Sequence, residues 1–221
     1  ITKTDVDTFS TYGGYSFVIN NCCKSNNYTI GVCFGESLLR KVDAGAIGVI
    51  GAANETLWDE DYYWSIGAKA FTSTPAYDAT NLGAFDRIFH NGQEEVADYV
   101  ITQGQMVQAG CMSVAQSGSP YENYYWEIYN LLGDPSLMPY IGSPQAITLM
   151  LGDSVRMGDV IVECSGTPLA RVALMQDSVP LGTTMLDENG NGTLRLVRPI
   201  TSTNVILTAT AQYHRPIIDT I

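Results

Sequence analysis

The chain has 221 residues, enough for one large domain or two small ones with a substantial core in either case. Hydrophobic residues make up 45% and charged residues only 15%, which excludes a disordered chain or a coiled coil. Eleven Lys and Arg against 23 Asp and Glu give a net charge of −12, so clustered positive charge for nucleic acid or an anionic membrane is lacking.

The sequence begins at Ile1 without an initiator Met, a basic leader or an apolar leader. Thr2-Lys3-Thr4-Asp5 reads as the capped start of a helix, so the chain is expected to be the downstream piece of something longer. Tyr15 to Asn20 is β-rich and nearly continuous in bulk, as a strand buried on both faces would be, and it runs directly into Asn21-Cys22-Cys23. A polar loop, Lys24 to Val32, follows. Phe34 to Val42 has helical apolar spacing, with Glu36 and Arg40 at i, i+4 and Gly45 placed to cap the end. Ala46 to Gly51 is a second apolar strand. Strand, helix, strand over this span is a βαβ unit, which predicts a parallel sheet with helices on its faces.

Further helices are expected at Asn81–His90, Glu94–Val107 and Glu122–Leu132, the last broken by Gly133-Asp134-Pro135-Ser136. The longest uncharged run, between Asp98 and Glu122, carries four glutamines and three serines, too many polar groups for lipid, so no membrane span is expected. After Ile141-Gly142-Ser143-Pro144 the texture changes to short β-type runs: Ile147–Leu151, Val160–Cys164, Ala170–Met175, Gly192–Val197 and Val205–Thr210. Short strands separated by Gly, Pro and Asp or Asn predict a small β-sandwich. The fold class is therefore α/β: a sheet-and-helix domain over 1–141, then a sandwich over 142–221.

Five cysteines, Cys22, Cys23, Cys33, Cys111 and Cys164, are an odd number, with no CxxC pair and no nearby His. Neither a disulfide framework nor a zinc site fits. Cys22 and Cys23 stand just beyond a strand's carboxyl end, where reactive groups of parallel α/β sheets collect. Strand alternation would send the two side chains to opposite sides, leaving one for the crevice. Position alone leaves two readings open, a nucleophile or a pair of buried free thiols. A nucleophilic Cys needs a base. His90 sits at an expected helix end and His214 in the sandwich, and neither is an attractive partner for a thiol at Cys23. The base is expected outside this chain.

Asn21-Cys22-Cys23, Cys33-Phe34-Gly35-Glu36 with Arg40, Gly45-Ala46 and Ile50-Gly51 closely resemble the gingipains. So do Trp58-Asp59-Glu60-Asp61-Tyr62-Tyr63-Trp64-Ser65-Ile66-Gly67-Ala68 and the stretch from Tyr124 through Leu132-Gly133-Asp134-Pro135 to Tyr140. Gingipains are secreted bacterial cysteine peptidases with a caspase-like catalytic domain followed by an immunoglobulin-like domain. The resemblance implies that this chain is the C-terminal part of the caspase-like parallel-sheet domain plus the immunoglobulin-like sandwich, secreted or held on a bacterial surface. It implies Cys23 as the nucleophile, with its backbone N–H in the oxyanion hole, and Trp64 as a lining residue of the substrate pocket. The family's Gly-His-Gly block, and the acid that selects a basic side chain, would fall before Ile1. The implied partner is thus an upstream fragment of the same precursor, docked to supply the catalytic His, and the implied substrates are proteins or peptides cut after a basic residue. A different outcome is a degenerate adhesion or secretion-associated binding module; a processing peptidase of a secretion system would differ only in substrate.

No cofactor is expected for catalysis. Calcium is admitted as a structural ion at Asp59-Glu60-Asp61, an acidic run that reads equally well as a solvated loop. Asp187-Glu188-Asn189-Gly190-Asn191-Gly192 opens like a calcium loop, but position twelve is Arg198, so a hairpin turn is expected. Asn-x-Thr sites at Asn27, Asn54 and Asn191 carry no meaning in a bacterial protein.

Overall fold

Thr2 and Asp5 open helix α1 (Lys3–Val6), the Asp5 carboxylate accepting the Thr2 N–H at 2.6 Å and the Thr2 hydroxyl at 3.0 Å. In this computed structural model the described residues are 1–10, 14–89, 95, 99–152 and 155–221. The chain divides into two compact units, Ile1–Pro139 and Tyr140–Ile221.

In the first unit β1 (Ser16–Asn20) runs parallel to β2 (Ala46–Ala52), with Asn20 opposite Gly51. Between them lies α2 (Phe34–Leu39), capped by Cys33: its N–H donates to Glu36 Oε2 at 2.9 Å and its sulfur accepts the Glu36 N–H. The helix stops short of the expected Val42. At Gly45, φ is +87°, and a Cβ there would lie 2.0 Å from the Leu38 carbonyl oxygen, so the turn into β2 requires glycine.

Four expectations are corrected here. The Glu122–Leu132 helix ends early as α6 (Glu122–Ile128), and β3 (Tyr129–Gly133) follows at once, antiparallel to β2 with Ala52 opposite Tyr129. The sheet, in order β1-β2-β3, is therefore mixed rather than all parallel. The helix expected at 94–107 lies partly outside the described residues; the helix found is α5 (Gln103–Gln116), started by Thr102, whose hydroxyl accepts the Gln105 N–H. Asn81–His90 shortens to α4 (Ala84–Ile88), and His90 is outside the described residues. An element not foreseen, α3 (Trp58–Ile66), lies between β2 and α4.

The faces of β2 explain the layering. Val49 joins Val6 and Leu38 in a cluster on the α1–α2 side, whereas neighbouring Gly48 faces Gln103 of α5, as strand alternation requires. Ala46 reaches the same cluster across the register shift that sets Ser16 opposite Ala46 and Phe17 opposite Gly48. Helix α5 also packs on α3, where Gly110 is the seat for Trp64: a Cβ at Gly110 would stand 2.1 Å from Trp64 Cε2. No helix among the described residues is long and apolar enough to cross a membrane.

The second unit holds β4 (Gln145–Ala146), β5 (Leu149–Leu151), β6 (Ile161–Gly166), β7 (Arg171–Gln176), β8 (Val179–Met185), β9 (Asn191–Arg195), β10 (Val205–Thr210), β11 (His214–Arg215) and β12 (Ile217–Thr220). They form a β12-β10-β7-β8 sheet, a β5-β6-β9 sheet and a β11-β4 pair. Val162, Cys164 and Leu194 from one sheet and Val172, Leu174 and Leu207 from the other share one core, so the two sheets form a sandwich. Strand β10 alternates buried and half-buried at every step. Asp187 Oδ1 accepts the N–H of Asn189 and of Asn191, making 187–192 a tight turn; it joins β8 to β9, which lie in different sheets, so it is not the expected hairpin.

Candidate active site

Strand β1 delivers Asn21, Cys22 and Cys23 at its carboxyl end, the end at which β2 leads into 53–57. There an open crevice of ≈ 170 Å³ is lined by Asn21, Cys22, Cys23, Thr56, Trp58 and Asp61. Both thiols line it, against the expectation of one. The strand has ended at Asn20, and Lys24 takes φ +56°, so the chain turns and strict alternation no longer applies.

Cys23 is exposed, and its sulfur meets Thr56 closely, with the Glu55 side chain also in hydrogen-bonding reach. The Thr56 N–H donates to Cys23 Sγ at 3.3 Å, Thr56 Oγ1 lies 3.4 Å away, and the Thr56 carbonyl oxygen is 3.8 Å off. Burial of the neighbouring Cys22 sulfur pushes that thiol above its ordinary range, with a Ser25 hydrogen bond acting the other way. Lys24 and Glu55 form an exposed ion pair at the rim; the Lys24 hydrogen bond holds the Glu55 carboxyl below its usual range.

Asp61 stands one helical turn after Trp58, so both face the crevice. Its Oδ1 accepts hydrogen bonds from Tyr125 at 2.9 Å and Tyr129 at 2.8 Å. Its backbone carbonyl accepts Asn21 Nδ2 at 2.9 Å, and Asn21 Oδ1 lies against the same Tyr129 hydroxyl, whose one proton the two acceptors share. Burial above all, with the Asp61 charge adding to it, pushes both phenols far above their ordinary range, against the Leu57 backbone hydrogen bond at Tyr125, so they stay neutral donors at any working pH. Tyr129 stacks on Trp64 at 4.7 Å and on Tyr125 at 5.4 Å, a plate of buried rings beneath the carboxylate.

The expected site residues thus divide. Cys23 lies in the crevice. Trp64 is 0% exposed, stacked on Tyr129 and seated on Gly110; the tryptophan that lines the crevice is Trp58, 93% exposed. Six residues of helix separate the two, which turns their side chains well over a right angle apart. Cys33 caps a helix, and Cys111 and Cys164 are buried in the two cores. The His214 ring faces its own turn, Nδ1 2.5 Å from the Gln212 carbonyl oxygen. No imidazole lines the crevice among the described residues.

Thr56, Trp58 and Asp61 were not singled out for the site beforehand. The i, i+3 spacing of Trp58 and Asp61 could have paired them; nothing local marks Thr56. The acidic run Asp59-Glu60-Asp61 does not converge: Glu60 is buried and accepts the Ser119 hydroxyl at 2.6 Å, whereas Asp61 faces the two phenols. Among the described residues no three His, Cys, Asp or Glu side chains gather as metal ligands. Chemically, the crevice offers an accessible thiol with hydrogen-bond donors on its sulfur, a carboxylate beside it and, among the described residues, no imidazole.

The profile of peptidase family C25 matches residues 1–140. Over its whole length the chain is 29% identical to Lys-gingipain HG66 and 28% identical to Lys-gingipain W83, both of Porphyromonas gingivalis, and spans 13% of each. Among solved structures, one described as a protease superposes with a TM-score of 0.88 at 28% identity, covering 99% of this chain and 49% of that one. The Arg-specific cysteine proteinase gingipain R superposes at 0.77 and 16% identity, over 98% of this chain and 47% of that one, a likeness of fold.

Proposed function

The chain belongs to peptidase family C25, and from that premise we propose that it is the nucleophile-bearing part of a cysteine endopeptidase that cuts after a basic residue. The observation that carries this reading is the Cys23 sulfur and the Asp61 carboxylate sharing one open crevice. Cys23 attacks the peptide carbonyl, its proton passing to a His supplied by an upstream segment. The tetrahedral oxyanion is met by the Cys23 N–H and a donor from that segment. A thioester forms as the amine leaves, and water hydrolyses it.

Asp61 supports the basic preference from within this chain, where an upstream acid was expected. One of its oxygens is already taken by two phenols, which leaves a single carboxylate oxygen for the substrate. A lysine ammonium, a compact point charge, suits one oxygen, whereas a guanidinium gains most from two. The exposed Trp58 ring gives the alkyl stem and the cation a wall. The Lys-gingipain relatives favour the same residue.

The upstream segment is proposed to dock on β1, which pairs with β2 on one side and has no other strand neighbour among the described residues. The two units are read as caspase-like and immunoglobulin-like, in a secreted or surface-held bacterial protein. A lysyl chloromethyl ketone tests the proposal. In the complete peptidase it should abolish cleavage and modify Cys23 alone, as read by peptide mass spectrometry. Even, slow labelling of all exposed cysteines would instead mark a non-catalytic adhesion or secretion module.

A further inference from the structure

We infer that Thr56 is a catalytic residue of this reaction: its backbone N–H and its hydroxyl bind the Cys23 sulfur and hold it as the attacking thiolate. The inference rests on the reading of Cys23 as the nucleophile and adds a residue to it.

The geometry distinguishes thiol from thiolate. The Thr56 N–H at 3.3 Å can only donate, so the sulfur must accept. Thr56 Oγ1 at 3.4 Å can accept from the S–H, then rotate and donate once that proton has left. The S–H can also point to the Thr56 carbonyl oxygen at 3.8 Å, leaving the hydroxyl free to donate in either state, and a hydrogen bond to the anion is the stronger one. When the proton passes from Sγ to the upstream imidazole, Thr56 exchanges no atom; it supplies two dipoles already in place.

The donor is preorganised because the segment that carries it is fixed on both sides. The Ala53 N–H donates to the Ile128 carbonyl at 2.8 Å, and the Lys24 N–H to the Asn54 carbonyl at 3.0 Å. The Tyr124 hydroxyl donates to the Glu55 carbonyl at 2.8 Å, and the Leu57 N–H donates to the Tyr125 hydroxyl at 3.0 Å. Helix α6 thus grips the strap on either side of Thr56, leaving the Thr56 N–H aimed at sulfur. The charged and titratable groups that face Cys23 are Cys22 and Lys24 on its own loop, Glu55 on the strap, Asp61 on α3 and Tyr124 on α6. Glu55 opposes a thiolate, Lys24 offsets it as a pair, and the Thr56 donors act beside them without charge.

The test uses the complete peptidase and two readouts: the pH profile of Cys23 alkylation by iodoacetamide, and kcat and KM on a peptidyl-lysine amide. Thr56→Val, isosteric but without the hydroxyl, should slow alkylation at pH 6 to 7 by about tenfold and move the profile to higher pH. It should lower kcat by a similar factor and leave KM within about twofold. Thr56→Ser, which keeps the hydroxyl, should recover most of both. Superimposed profiles for wild type and Thr56→Val would overturn the inference, as would a Thr56→Ser loss equal to that of Thr56→Val. If circular dichroism shows Thr56→Val to be misfolded, Tyr124→Phe replaces it. Removing that one strap contact should shift the profile the same way by less, and no shift overturns the inference. Full activity in Cys23→Ala would instead refute the nucleophile reading, an outcome separate from these.

Discussion

Asp61→Asn takes the charge out of the crevice and leaves its shape. The carbonyl oxygen of Asn can still accept the Tyr125 and Tyr129 hydroxyls that now reach Oδ1 at 2.9 and 2.8 Å, so the ring plate below keeps both partners. What changes is the oxygen facing the crevice, which becomes an NH2 group and meets a lysine ammonium donor to donor. A hydrogen bond to a charged group contributes about 1.5–3 kcal/mol, and each 1.4 kcal/mol is about tenfold, so kcat/KM on lysyl substrates should fall about 10- to 100-fold. A peptide with norleucine before the scissile bond keeps the alkyl stem and lacks the charge, and its kcat/KM should change by less than about twofold. Fluorogenic amides of the two residues, run side by side on wild type and variant, give the ratio directly. Equal losses on both would mean that Asp61 supports the fold and not recognition, and the lysine argument would fall.

Gly110→Ala places a methyl 2.1 Å from the buried Trp64 ring and should cost about 1–3 kcal/mol in denaturant unfolding of the first unit. Leu174→Ala opens the sandwich core and should cost about 2–5 kcal/mol in the second unit, with the Asp61 and Cys23 chemistry unchanged in the native state. Thiol labelling should rank the cysteines. Burial lifts Cys111 to about 12, so almost none is thiolate at pH 8 and it should resist iodoacetamide until the protein unfolds. Cys22, also raised, should label more slowly than a free thiol at pH 7 and catch up as pH rises; labelling of Cys22 faster than Cys23 at pH 7 would contradict the site as described.

Elements whose evidence is local were legible in the sequence. Val205–Thr210 was delimited to the residue, because its period-2 pattern survives in a strand half covered by the core. The place of Cys23 beyond the end of β1 was legible because a strand running into two cysteines is itself a positional statement. The failures have physical causes. Tyr129-Asn130-Leu131-Leu132 continues a helical pattern, and only the antiparallel ladder to β2 makes it a strand, a contact no window along the chain contains. Strand β8 carries Pro180 and Gly182, residues that ordinarily mark strand ends. Helix α5 was placed too early although Thr102 and Gln105 spell a capping box. Thr56 reaches Cys23 across 33 positions of sequence, and its role is a matter of packing alone.

The two phenols that grip Asp61 belong to the interior, not to the rim: Tyr125 is 0% and Tyr129 4% exposed. Affinity for the cationic end of a ligand is consequently tied to the melting of this interior rather than to the fluctuations of a surface loop. On heating, ammonium capture and the near-ultraviolet signal of the aromatic plate should disappear in a single, shared transition.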